Sequence, residues 1–123
     1  MKRIAVVEDN PDNRLLVRAI LEDRYELCEY ESGKEALEKA PHDLPDLILL
    51  DISLPEMDGP EVLERFRADG PLTKVPVVAL TAHAMVGDRE RFLTSGFDGY
   101  IPKPILHPTD LIDVIEKLLA DKR

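Results

Sequence analysis

LILLDISLPEMDG, residues 47–59, is the stretch on which the fold turns. Four apolar residues run straight into one carboxylate, Asp51, and a loop carrying Ser53, Pro55 and the turn pair Asp58-Gly59 follows at once. "DLILL" (46–50) reads as the most apolar strand of the chain, central in a sheet and buried on both faces. A charge placed where such a strand stops raises the question of what meets it there.

Outward from this strand the chain alternates. Before it, "RIAVV" (3–7) is a short β-branched run that suits a buried strand. Asn10 offers a helix cap and Pro11 fits the first turn, with Leu16, Val17, Ile20 and Leu21 at helical spacing. "YELCEY" (25–30) alternates as a strand covered on one face would. Ser32-Gly33 opens a short helix through Ala36, Leu37 and Ala40, which Pro41 is expected to end. After the central strand, Val62, Leu63 and Phe66 mark a helix closed near Gly70-Pro71. "VPVVAL" (75–80) is a strand, residues 85–95 a weaker helix stopped by Gly96, and "GYI" (99–101) a fifth strand. Pro108, Thr109 and Asp110 start a last helix with Leu111, Val114, Ile115 and Leu118 on one stripe. Five strand–helix units in a row imply an α/β fold, a parallel sheet with helices on both faces joined by right-handed crossovers.

Composition sets the bounds. The chain has 123 residues, 44% of them hydrophobic, enough for one domain around one core. With 25 acidic against 16 basic residues the net charge is −9, which argues against nucleic acid as a partner, since that needs clustered positive charge. The lone cysteine, Cys28, excludes an internal disulfide and reads as a small buried strand residue, so a reducing compartment fits. No apolar run approaches the ~18 residues of a membrane span. The basic start, MKRIAVVEDN, has too short an apolar run for a signal peptide. A cytoplasmic protein without a membrane partner is expected.

In an open parallel α/β sheet, ligands bind beyond the carboxyl ends of the strands. Glu8 and Asp9 follow the first strand, Asp51 ends the third, Thr81 the fourth, and the fifth leads to Lys103 in "YIPKPI". Three carboxylates, a hydroxyl and an ammonium should therefore converge on one rim. Carboxylates so placed either protonate or bind a cation. Hard oxygen ligands without His or Cys favour Mg2+. A metal, an ammonium and a hydroxyl are the parts that hold a phosphoryl group, and a central carboxylate can be its nucleophile. Asp51 takes that role.

These pieces resemble the receiver domain of two-component response regulators over essentially the whole chain. The matching segments are "VVEDN" (6–10), "LILLDISLPEMDG" (47–59), "VVALTA" (77–82) and "YIPKP" (100–104), in the family's order and spacing. "TAHAMVGDRERFLTSGFDGYIPKPI" (81–105) looks especially like the DivK-like single-domain regulators and the receivers attached to hybrid kinases. The resemblance implies a CheY-like, flavodoxin-like (βα)5 sheet of order 2-1-3-4-5, one receiver domain over 1–123 with no effector domain. It implies that Asp51 accepts phosphate from a phosphohistidine, with Mg2+ held by Asp9, Asp51 and the backbone carbonyl of Ser53, and by Glu8 mostly through water. Lys103 would contact the phosphoryl group, and the Lys103-Pro104 peptide would be cis.

The same resemblance implies a switch. A phosphoryl group adds roughly 1.5 to 2 negative charges. Thr81 would move toward them and Tyr100 would rotate inward from an outward position. Gly87, read inside the fourth helix, would cost about 1 kcal/mol there and leave a marginal element able to shift. Helix 4, strand 5 and helix 5 would form the output surface, and the protein would be a monomer or a weak phosphorylation-dependent dimer. A histidine kinase or histidine phosphotransferase would dock near helix 1 and the active rim. There Leu15, Leu16, Val17, Ala19, Ile20 and Leu21 make an apolar arc wide enough for helix-in-groove docking, although deeper burial explains it equally.

Plainer readings stand beside these. A strand-end aspartate alone is usually a turn former; Thr81 alone a helix cap, Lys103 alone a solvated lysine, Tyr100 alone a half-buried strand aromatic. His42 and His107 read as loop residues, and His83 borders the site, where it could modulate loss of the phosphate. Other functions compete with this one. A receiver excised from a hybrid kinase is one alternative. A Mg2+-dependent aspartyl phosphatase would want a second aspartate where Ser53 stands. An FMN binder would want a hydroxyl- and glycine-rich loop where the acidic "EDNPDNR" (8–14) lies. The expected function is thus a phosphoacceptor switch acting through partners, not an enzyme with its own substrate.

Overall fold

A computed structural model describes residues 1–68, 70–82 and 87–121. The elements run β1 (Arg3–Val7), α1 (Pro11–Leu21), β2 (Glu26–Tyr30), α2 (Gly33–Asp43), β3 (Leu47–Asp51), α3 (Gly59–Ala68), β4 (Val77–Thr81), α4 (Asp88–Thr94), β5 (Gly99–Pro102) and α5 (Pro108–Asp121). All pairings are parallel and the sheet order is β2-β1-β3-β4-β5. The order reverses between β1 and β3, whose carboxyl ends form the switch point where such sheets bind ligands.

Alternation along each strand feeds two cores. Ala5, Val7, Ile48, Leu50, Val77 and Ala79 meet α2, α3 and Phe92 of α4 on one face. Ile4, Val6, Leu47, Leu49, Val78 and Leu80 meet Val17, Leu21, Leu111 and Ile115 of α1 and α5 on the other. Every residue of β3 and β4 is buried, as two-sided coverage requires.

Local chemistry sets the helix starts. The Asn10 side chain accepts the Asp12 and Asn13 N–H groups at 2.8 and 3.1 Å, with Pro11 in the first turn. Ser32 caps the Glu35 N–H at 3.0 Å while Glu35 reaches back to the Glu31 N–H at 2.8 Å. Asp58 accepts the Glu61 N–H at 3.0 Å.

Two expectations fail here. Pro41 does not end α2, which continues to Asp43, so His42 lies in its last turn and not in a loop. A proline forfeits only one backbone bond, and the turn closes through the Leu44 N–H on the Ala40 carbonyl at 2.9 Å. Tertiary contacts also hold that turn: the Tyr30 hydroxyl donates to the Asp43 carboxylate and Arg3 to the Asp43 carbonyl. Gly87 is the second correction. It caps α4 from outside, at φ 88°, instead of lying within the helix. Glycine reaches that conformation without a Cβ penalty, so no helix-interior cost arises. His107 precedes α5 in a loop, as expected, and Cys28 is half-buried in β2.

Candidate functional site

The carboxyl ends of β1 and β3 bring Glu8 and Asp51 together in the buried interior of the rim, with exposed Asp9 beside them. One carboxylate oxygen from each lies within 4.8 Å of the others. Lys103, four residues past the start of β5, extends its Nζ to Glu8 Oε1 at 2.9 Å and to Asp51 Oδ2 at 3.1 Å. The other Asp51 oxygen accepts the Ser53 N–H at 3.0 Å, and the second Glu8 oxygen accepts the Asn10 N–H at 3.2 Å. Thr81 ends β4, buried, and its carbonyl accepts the Lys103 N–H at 2.7 Å. The Lys103-Pro104 peptide is cis. His83 lies outside the described residues.

Electrostatics follow from this crowding. Burial, reinforced by the Asp51 carboxylate alongside, pushes the Glu8 carboxyl up to about 7, against the opposing pull of Lys103. Burial works to lower the Lys103 pKa, but the Glu8 hydrogen bond and the charges of Asp51 and Glu8 outweigh it, so the ammonium is held more firmly than usual. One ammonium faces two buried carboxylates, with a third in reach. That surplus of negative hard-oxygen donors suits a divalent cation of the magnesium class, whose charge such a cluster lacks.

Tyr100 is half-buried on β5. It stacks on Phe92 of α4, with ring centroids 5.9 Å apart and planes at 23°. Its ring packs against the edge of the core. On α1, Val17 and Leu21 are buried but Leu15 is 58% and Leu16 40% exposed, so core burial does not account for the whole arc. Sequence reading missed Arg14, whose guanidinium donates to the Glu8 carbonyl at 2.8 Å. It also missed Arg67, which donates to the Val75 carbonyl at 2.6 Å and to Asp98 at 2.8 Å. The only sequence signal for Arg14 is a cation one helical turn past "EDN", and surface arginines are too common for that to stand out.

A doubly wound parallel sheet with acids, a threonine and a lysine at its strand ends defines a receiver. The response regulator receiver domain family matches residues 4–116, and the chain belongs to it. It is 45% identical over 121 residues to the polar-differentiation response regulator DivK of Brucella ovis, covering 98% of each chain. Among solved structures it resembles the receiver domain of the sensor histidine kinase PA1611 of Pseudomonas aeruginosa. The TM-score is 0.87 and the identity 33%, over 98% of both chains, and that structure has a magnesium ion coordinated in its active site cleft. The chemotaxis protein CheY4 of Vibrio cholerae matches with TM-score 0.86 and 27% identity, over 95% of this chain and 98% of that one. The protein is accordingly a receiver of the two-component response regulator type, similar to DivK and CheY, in a family that acts as phosphoacceptor switches. Among the described residues no helix is long and apolar enough to cross a membrane.

Proposed function

We propose that this chain is a stand-alone receiver, with residues 1–123 as one domain, that takes a phosphoryl group on Asp51 and signals by binding partners. The observation that carries this reading is the position of Lys103. Its ammonium bridges Glu8 and Asp51, residues 95 and 52 positions away in sequence, at the switch point of the sheet. A carboxylate oxygen of Asp51 attacks the phosphorus of a partner's phosphohistidine. The phosphorus–nitrogen bond breaks, its electron pair stays on the imidazole nitrogen, and an acyl phosphate forms. Lys103 is placed to neutralise the developing phosphoryl charge.

Asp9, Asp51 and the Ser53 backbone carbonyl would hold magnesium. Glu8, whose oxygens already meet Lys103 and Asn10, suits an indirect role. Magnesium, when bound, supplies positive charge against the carboxylates and phosphoryl oxygens. Thr81 and Tyr100 carry the response outward: Thr81 toward the phosphoryl group, Tyr100 by repacking against Phe92. The histidine donor, a kinase or phosphotransferase, docks where exposed Leu15, Leu16 and Leu106 border the rim. Helix α4, strand β5 and helix α5 present the output surface. The acidic chain acts in the cytoplasm without binding nucleic acid. Identity of 45% to DivK, against 33% to the receiver of the sensor histidine kinase PA1611, supports a DivK-like regulator.

The test is incubation with acetyl phosphate and magnesium, read by intact-protein mass spectrometry. The expected result is a gain of one phosphate that disappears in Asp51→Asn. An unchanged mass in the folded native chain would sink the proposal.

A further inference from the structure

β1 ends at Val7, so the next peptide group leaves the ladder. Glu8 still donates its N–H to the Tyr30 carbonyl at 3.1 Å. Its own carbonyl turns to α1 and accepts from Arg14 Nη1 at 2.8 Å. Glu8 is 1% exposed, and a buried carbonyl needs a donor. Arg14 is held in turn. Its Nη2 lies 3.3 Å from Glu31 Oε1, and its Nε 4.0 Å from Glu29 Oε1, a buried oxygen without a hydrogen bond. The other Glu29 oxygen pairs with Arg18 at 2.8 Å. The Arg14 side chain is 15% exposed, so this is a built-in contact and not a surface ion pair.

The consequence falls on Asp9. A peptide group is planar, so the Glu8 carbonyl and the Asp9 Cα share one plane. A donor that fixes the carbonyl fixes the direction in which Asp9 leaves the strand. Among the described residues no hydrogen bond or ion pair holds the Asp9 carboxylate itself, so the backbone sets its place beside Glu8 and Asp51.

We propose that Arg14 is a positioning residue for divalent-cation binding: through the Glu8 carbonyl it aims Asp9 into the pocket shared with Asp51. This rests on the reading of that pocket as a magnesium site. The proposal has a sign that electrostatics alone opposes. Arg14 is a cation near an acidic pocket, so deleting its charge would by itself tighten magnesium binding. Losing the aim of Asp9 loosens it.

The experiment titrates magnesium into the full chain by isothermal titration calorimetry, with thermal melts in chelator to confirm folding. Arg14→Met is expected to raise the magnesium Kd about tenfold, the low end of what orienting contacts contribute at metal sites. Arg14→Lys, which keeps a donor and the charge, is expected to stay within about threefold of the native value, and Glu31→Gln to match it. If Arg14→Met does not fold, Arg14→Gln gives the same reading with a polar group beside Glu29 and Glu31. A folded Arg14→Met or Arg14→Gln that binds as tightly as the native chain, or more tightly, overturns the proposal. Asp9→Asn separates the two readings. If the native chain binds and Asp9→Asn does not, the pocket stands whatever Arg14 does; if the folded native chain binds no magnesium, both readings fall.

Discussion

The β1–β3 side of the rim and the β4–α4–β5 side are built on different principles. On the first, β3 is buried at every residue and laddered to a neighbour on both edges. Behind Asp51 the chain folds back so closely that a Cβ on Gly59 would lie 2.7 Å from the Asp51 carbonyl oxygen. On the second side α4 has seven residues, starts after Gly87, which offers no side-chain cap, and leans on an edge strand of four. Among the described residues a Cβ on Gly87 would meet nothing within 4 Å. The carboxylates that would hold the metal, Asp51 among them, thus stand on the closely packed side, and Lys103 reaches them from the other. The aromatic proposed to report their state, Tyr100, stacks on Phe92 of the short helix α4.

This contrast can be broken by substitution. Leu49→Ala, fully buried in β3, should lower unfolding free energy by about 2–5 kcal/mol in urea titration; a loss under about 1 kcal/mol would mean the β3 side is not rigid. The pH response comes next. In chelator, the Glu8 carboxyl lies at about 7 in the fold against an ordinary value of 4.5. Its proton therefore binds the folded state more tightly. The stability it contributes is full below about pH 4.5 and is lost as pH rises through about 7. The urea midpoint should fall between about pH 5 and about pH 8, and Glu8→Gln should flatten that slope. Magnesium affinity should move the opposite way, strengthening as pH rises through about 7, because the cation competes with that proton.

Gly59→Ala should cost about 1–3 kcal/mol, because backbone atoms must move to admit the methyl group, and should impair phosphorylation by displacing Asp51. Gly87→Ala should cost only about 1 kcal/mol, from its left-handed conformation alone, and leave phosphorylation from acetyl phosphate unaltered. Gly87→Asn should recover most of that loss, since asparagine tolerates this region. Equal losses at Gly59 and Gly87 would erase the distinction between the two sides.

Much of this was readable from the residues. The apolar run at 47–50 announced a central strand because only two-sided burial tolerates it. The pattern of apolar runs then placed Glu8, Asp9, Asp51, Thr81 and Lys103 at or just past strand ends, and the structure brings Lys103 to Glu8 and Asp51. Helix ends were less readable. Pro41 misleads because local rules stop a helix there, whereas Tyr30 and Arg3 hold the last turn from distant strands. Gly87 misleads because glycine marks a cap and an interior weak point alike, and only its positive φ separates them.

By itself, then, the sequence determined the α/β alternation, the buried centre and the chemistry gathered at the rim, since periodicity and residue type act locally and survive in a linear reading. Only the tertiary structure decided which oxygens Lys103 meets, that Glu8 carries a raised pKa, and that Arg14 grips the strand end. Those facts depend on distances between residues far apart in the chain, and on how completely the folded protein excludes water from the space between them.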